Sequence, residues 1–283
     1  DVSWDTNRLR GPDDQDWRIP TSELEKRQDL VAKKLDIEGM EAILIDDPVE
    51  LYWLTGSRQN SFFIVGSKSS GIENTLYVRR SYDRAVFECG EDNSPHEIKK
   101  QPRMADLANE LIKIGCKKIP GMLEGKIPHS RFTFLRSKLS EIGEYSKDCT
   151  NILFSLREKK SQWEINMMME SGKINQKMFE EIHENGGVGN TEIELAGMAD
   201  KVSRSEGFGG RIRMRSWPMD CDRVVVTSGK SGAVPSYFDS GVAGLGPSPI
   251  SSLGAGFAKV KPNEPVLVDI VHVHRGYVSD CTR

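Results

Sequence analysis

Val266-Leu267-Val268-Asp269-Ile270-Val271-His272-Val273-His274-Arg275-Gly276-Tyr277-Val278-Ser279-Asp280 sets two apolar runs on either side of a Gly-containing break, the pattern of a β-hairpin. A two-residue loop at His274-Arg275 puts Asp269 and Asp280 directly opposite each other on one face. A loop at Arg275-Gly276 makes them diagonal neighbours on that face, and a three-residue loop separates them. Two carboxylates roughly 4.5–5.5 Å apart between apolar strands repel and lose hydration, at about several kcal/mol each unless protonated or neutralised. A divalent cation is the simplest neutralising partner. The plainer alternative makes Asp280 a surface turn residue and Asp269 the cap of a bulge. Strand alternation points His272 and His274 to the face opposite Asp269, so they read as solvent-facing or as supports behind the ligands.

Outward from this hairpin, the chain of 283 residues is long enough for about two domains of typical size. With 39 basic and 42 acidic residues, net −3, it lacks the field that draws in nucleic acid or an anionic membrane. No apolar run approaches the roughly 18 residues of a membrane span, and the start Asp1-Val2-Ser3-Trp4-Asp5 is not a signal peptide. The expected compartment is the cytoplasm. Cys89, Cys116, Cys149, Cys221 and Cys281 are scattered without a Cys-x-x-Cys pair and read as reduced thiols. The absent initiating Met and the stop at Arg283, directly behind an apolar strand, read as a fragment.

Residues 1–21 form a polar arm with too little apolar content to dock on their own domain, expected to lie on a surface or a partner. A helix behind Thr21/Ser22, with Leu24, Gln28, Val31 and Leu35 at helical period, stops at Gly39 before the strand Ala42–Ile45. Strands at 61–65, 75–78, Ala85-Val86-Phe87 and 117–119, and a helix near 104–114, complete an α/β domain over 22–155. Arg157–Ser161 is a charged hinge into a second domain, 156–283. That domain opens with a helix over 162–184, whose stripe absorbs Met167, Met168 and Met169, then a helix behind the capping box Thr191-Glu192-Ile193-Glu194. Strands follow at 211–215 and 223–227. In the first, Arg211, Arg213 and Arg215 make one cationic face, read as a charge-protected edge or as a carboxylate-binding surface. The glycine-rich Gly244–Pro249 lacks the Lys-Ser/Thr ending and following helix of a phosphate loop.

Asp269, Gly276-Tyr277, Asp280 and Thr282-Arg283, with a spacing of eleven between the carboxylates, resemble the metal-binding hairpin of the creatinase, prolidase and Xaa-Pro aminopeptidase family. Tyr52-Trp53-Leu54-Thr55-Gly56 is similar to that family's N-terminal signature, and Arg157-x-x-Lys160-Ser161-x-x-Glu164-Ile165 to the start of its catalytic domain. The resemblance implies a creatinase-like α/β N-terminal domain and an α+β pita-bread C-terminal domain, the latter incomplete. It also implies two divalent ions (Mn, Zn or Co) on two Asp, a His and two Glu. Asp269 and Asp280 match the two Asp; the other three ligands are expected past Arg283. Where peptidase members carry a substrate-contacting His seven residues after a Ser-Gly, this chain has Ser236 after Ser228-Gly229. A serine hydroxyl does not titrate near neutral pH, so an imidazole's share of acid–base catalysis is missing there.

The function implied is a metal-dependent hydrolase acting on the N-terminal or dipeptide bond of a peptide, working as a homodimer. The alternatives are a lyase or C–N hydrolase acting on a small-molecule substrate with the same fold, and a metal-free binding or scaffold homologue.

Overall fold

The computed structural model describes residues 9–12, 14–210, 212–214, 224–238, 241 and 243–283. The chain divides into two compact units at Lys159–Lys160.

The first unit is built on four strands in the order β1 (Ala42–Ile45), β2 (Ser61–Gly66), β3 (Thr75–Val78) and β4 (Glu97–Lys100). The first two pairings are antiparallel and the third is parallel. Alternating side chains feed two separate cores. Ile43, Ile45, Phe63, Val65, Leu76 and Val78 pack against α1 (Thr21–Ile37), α2 (Pro48–Thr55) and α6 (Thr150–Glu158). Ala42, Leu44, Phe62, Ile64 and Tyr77 pack against α4 (Leu107–Lys113) and α5 (His129–Lys138). The result is a helix–sheet–helix sandwich. α2 is short and strongly delimited. The Asp47 carboxylate accepts from the amides of Val49 and Glu50, Pro48 starts the helix, and Gly56 ends it at φ 80°, a left-handed turn that suits glycine.

Three expectations change here. Ala85, Val86 and Phe87 lie in a helix, α3 (Tyr82–Glu88), with Ala85 and Phe87 buried. Residues 117–119 contribute a single bridge, Ile119 to Tyr145, in place of a strand. The described end of the arm, around Arg18 and Ile19, docks on its own unit. The Arg18 guanidinium donates to the Phe87 carbonyl (3.2 Å), pairs with Glu91 (3.4 Å) and lies 4.9 Å from the Phe87 ring, while Ile19 is buried. One cation over an aromatic face anchors a segment that hydrophobic content alone does not.

The second unit packs α7 (Gln162–Asn185) and α8 (Glu192–Ser205) on one face of a three-stranded antiparallel sheet, β5 (Val224–Ser228), β6 (Val266–His274) and β7 (Tyr277–Thr282). Both helices begin in full capping boxes, Ser161/Glu164 and Thr191/Glu194. Ile174, Met178, Leu195 and Ala199 meet Val224, Val226, Val268 and Ile270 in the core. Of the arginine strand expected at 211–215, residues 212–214 have no regular structure, and Arg211 and Arg215 lie outside the described residues.

Candidate metal centre

The hairpin turns at Arg275-Gly276, with φ of 50° and 92° at the two residues. Two positive φ values in a two-residue loop match the right-handed twist of the strands. His274 therefore pairs with Tyr277, Val271 with Asp280 and Asp269 with Thr282. Asp269 and Asp280 are diagonal neighbours on one face, the second of the two arrangements open to a two-residue loop.

On that face Asp269 is half-buried and Asp280 exposed. Thr282 Oγ1 donates to Asp269 Oδ1 at 2.6 Å, which fixes the orientation of that carboxylate. The Asp280 carboxyl is held above the ordinary carboxylate range, first by partial burial, then by the Asp269 charge and a hydrogen bond with it. Two acids brought to one face, one already pushed toward its protonated form, are what a divalent cation relieves, so the pair fits one portion of a metal site. Among the described residues no cluster of three or more His, Cys, Asp or Glu able to hold a metal ion is present.

The opposite face is the core. His272 is completely buried: its Nδ1 lies 2.9 Å from Ser203 Oγ, its ring stands 5.6 Å from that of Phe208, and its carbonyl accepts from Ser171 Oγ at 2.9 Å. The expectation that His272 faces solvent fails because α7 and α8 cover that face of the sheet. His274 is half-buried.

Ser236 lies in the loop beyond β5, at the end of that strand paired with Val266, whereas Asp269 pairs with Val225 near its start. Its Oγ accepts from the Phe238 amide at 3.2 Å, a local turn. The base of this loop is tied down by Glu192, a residue the sequence reading passed over as part of a capping motif. Its buried carboxylate accepts from the Ser228 amide (2.7 Å), the Ser228 hydroxyl (3.1 Å), the Ser231 hydroxyl and the Gly256 amide (3.0 Å). A carboxylate at the first position of a helix is compatible with the helix dipole, but nothing in its spacing announces such distant donors.

Of the four cysteines among the described residues, Cys281 is half-buried and the other three are buried. Burial pushes the Cys89 and Cys116 thiols up to about 12. No helix among them is long and apolar enough to cross a membrane.

Comparison with known proteins agrees with this architecture. The chain superposes on the Xaa-Pro dipeptidase from Bacillus anthracis with a TM-score of 0.71 at 17% identity, covering 92% of this chain and 64% of that one. The prolidase from Pyrococcus horikoshii OT3 gives 0.67 at 19% identity over 91% and 64% of the two chains. The prolidase from Pyrococcus furiosus gives 0.66 at 21% over 90% and 68%. The chain thus spans about 64% of the length of the first two relatives. No curated protein matches its sequence significantly. Residues 27–159 match the creatinase/prolidase N-terminal domain and residues 166–283 match metallopeptidase family M24, an α/β domain followed by a pita-bread domain. With both domains matched in order, the chain belongs to the creatinase/prolidase-type metallopeptidases of family M24.

Proposed function

We propose that this protein is a metal-dependent peptidase-type hydrolase that cleaves the N-terminal or dipeptide bond of a peptide, with Asp269 and Asp280 as two of its metal ligands. The observation that carries the reading is the diagonal carboxylate pair, with Asp280 held above its ordinary range beside Asp269. Two divalent ions of the Mn, Zn or Co class would supply a water of lowered pKa and a Lewis acid for the scissile carbonyl. Thr282 aims the Asp269 carboxylate by donating to Oδ1. Ser236 offers substrate a hydroxyl proton, since its oxygen already accepts from Phe238.

Ser236 also favours a second reading. With a hydroxyl where peptidases of this family place an imidazole, a non-peptide C–N hydrolase or lyase needs no titrating group at that position.

Protein expressed from the full open reading frame tests both readings against Xaa-Pro dipeptides and non-peptide amides. The peptidase reading expects dipeptide cleavage that stops on chelation, returns with Mn²⁺, Zn²⁺ or Co²⁺, and falls at least about a thousandfold in Asp269→Ala and Asp280→Ala. Cleavage of non-peptide amides alone selects the second reading. Dipeptide cleavage that survives chelation and both substitutions contradicts the first.

A further inference from the structure

The carboxyl edge of the N-terminal sheet carries a separate cavity of about 470 Å³, lined by Asn60, Phe62, Arg79, Arg103, Arg131 and Phe134 among others. β3 and β4 are parallel neighbours, and the chain leaves both at this edge. Arg79 follows Val78 directly, its amide donating to the Asn60 carbonyl at 2.8 Å. Three residues beyond Lys100, the partner of Val78, comes Arg103, and the intervening Gln101 amide donates to the Val78 carbonyl at 2.9 Å. The crevice outside the carboxyl ends of such strands is where open α/β sheets commonly bind ligands.

The charge balance of the cavity is lopsided. A chain of net charge −3 gathers three guanidiniums here, and no carboxylate is among the lining residues. Arg131 is compensated from behind: its Nε donates to Asp46 Oδ2 at 2.8 Å, and its guanidinium lies 5.0 Å from the Phe62 ring and 5.9 Å from the Phe134 ring. Arg79 and Arg103 are exposed, and among the described residues neither side chain has a hydrogen-bonded or ion-paired partner. Two free planar forks facing a cavity of small-molecule size, beside two aromatic rings and the Asn60 amide, match an oxyanion on a compact organic body.

We infer that this edge is a binding site for a small phosphate- or carboxylate-bearing ligand, held by Arg79 and Arg103 with Arg131 and Phe62 as its preformed wall. The site uses neither Asp269 nor Asp280, so it stands or falls apart from the hydrolase reading.

Calorimetric titration of the 283-residue chain with inorganic phosphate, AMP or citrate, each against sodium chloride of equal ionic strength, tests it. Saturable binding by at least one probe is expected, weakened at least about tenfold in R79A/R103A and less in R79K/R103K, which keeps the charge but loses the fork. Binding of phosphate and AMP assigns a phosphate group, and binding of citrate alone a carboxylate. Because the two side chains hold nothing in the fold, the double variant is expected to keep the wild-type melting temperature. A second measurement needs no substitution: the bound probe should protect Arg79 and Arg103 from phenylglyoxal, read by peptide mass spectrometry. Absence of binding beyond the chloride control, or binding unchanged in R79A/R103A with no protection, overturns the inference.

Discussion

Tyr277 donates its phenolic proton to Glu164 Oε1 across 3.0 Å, while Glu164 Oε2 accepts from the Ser161 amide at 2.8 Å. One buried carboxylate thus closes the capping box of α7 and ties that helix to the start of β7. Trp163 stacks edge-on against Tyr277 at 5.5 Å and lies beneath the Arg275 guanidinium at 5.2 Å, so the hairpin turn is clamped from the same side. The Ser-x-x-Glu and Gly-Tyr markers, far apart in sequence, form one joint that sets the register on which Asp269 and Asp280 depend.

Tyr277→Phe should therefore destabilise the second unit by about 1–2 kcal/mol, the worth of a hydrogen bond to a buried carboxylate, while far-ultraviolet circular dichroism stays native. Urea unfolding measures it. A midpoint equal to wild type would show that the joint contributes nothing.

Glu192→Ala should cost more, about 3–5 kcal/mol, because it leaves the buried Gly256 amide and the Ser228 and Ser231 hydroxyls without this acceptor and leaves the Ser228 amide only Ser231 Oγ at 3.0 Å. Glu192→Gln, which keeps an accepting oxygen, should cost less than Ala. Equal losses in both variants would show that the carboxylate acts by bulk alone.

The hairpin and the Thr191/Glu194 capping box were legible because each rests on local rules: period two, a loop containing Gly, and Thr three residues before Glu. Whether Asp269 and Asp280 share a face was legible down to three loop choices, and the positive φ of Arg275 and Gly276 selects one of them. What lies on the other face was not. Period two says only that His272 opposes Asp269; burial comes from α7 and α8, which are far away in sequence. Ala85-Val86-Phe87 misled because three apolar residues are too short to separate helix from strand. β4, Glu-Ile-Lys-Lys, was invisible because a sheet edge carries charge where an inner strand carries valine.

His96 predicts a pH dependence in the first unit. It is buried, its Nδ1 meets Gln28 Nε2 at 3.0 Å, its ring meets Phe63 edge-on at 4.9 Å, and burial pulls it down from 6.5 to about 3. The folded state binds its proton less readily than the unfolded chain. Stability is therefore complete above pH 6.5 and lost as pH falls toward 3, at about 1.4 kcal/mol per pH unit. Between pH 7 and pH 5 the loss should be about 2 kcal/mol, and His96→Gln should flatten it. Unfolding free energies of the two proteins at both pH values decide; equal slopes would place the titration elsewhere.

Metal content of the purified protein, expressed from its full open reading frame, tests the central claim most directly. Asp269→Ala and Asp280→Ala should each lose two-metal occupancy. His274→Ala should retain it, and His272→Ala should lower stability while its folded fraction still binds metal. Full metal content in either Asp variant would contradict the assignment of the hairpin as a metal centre.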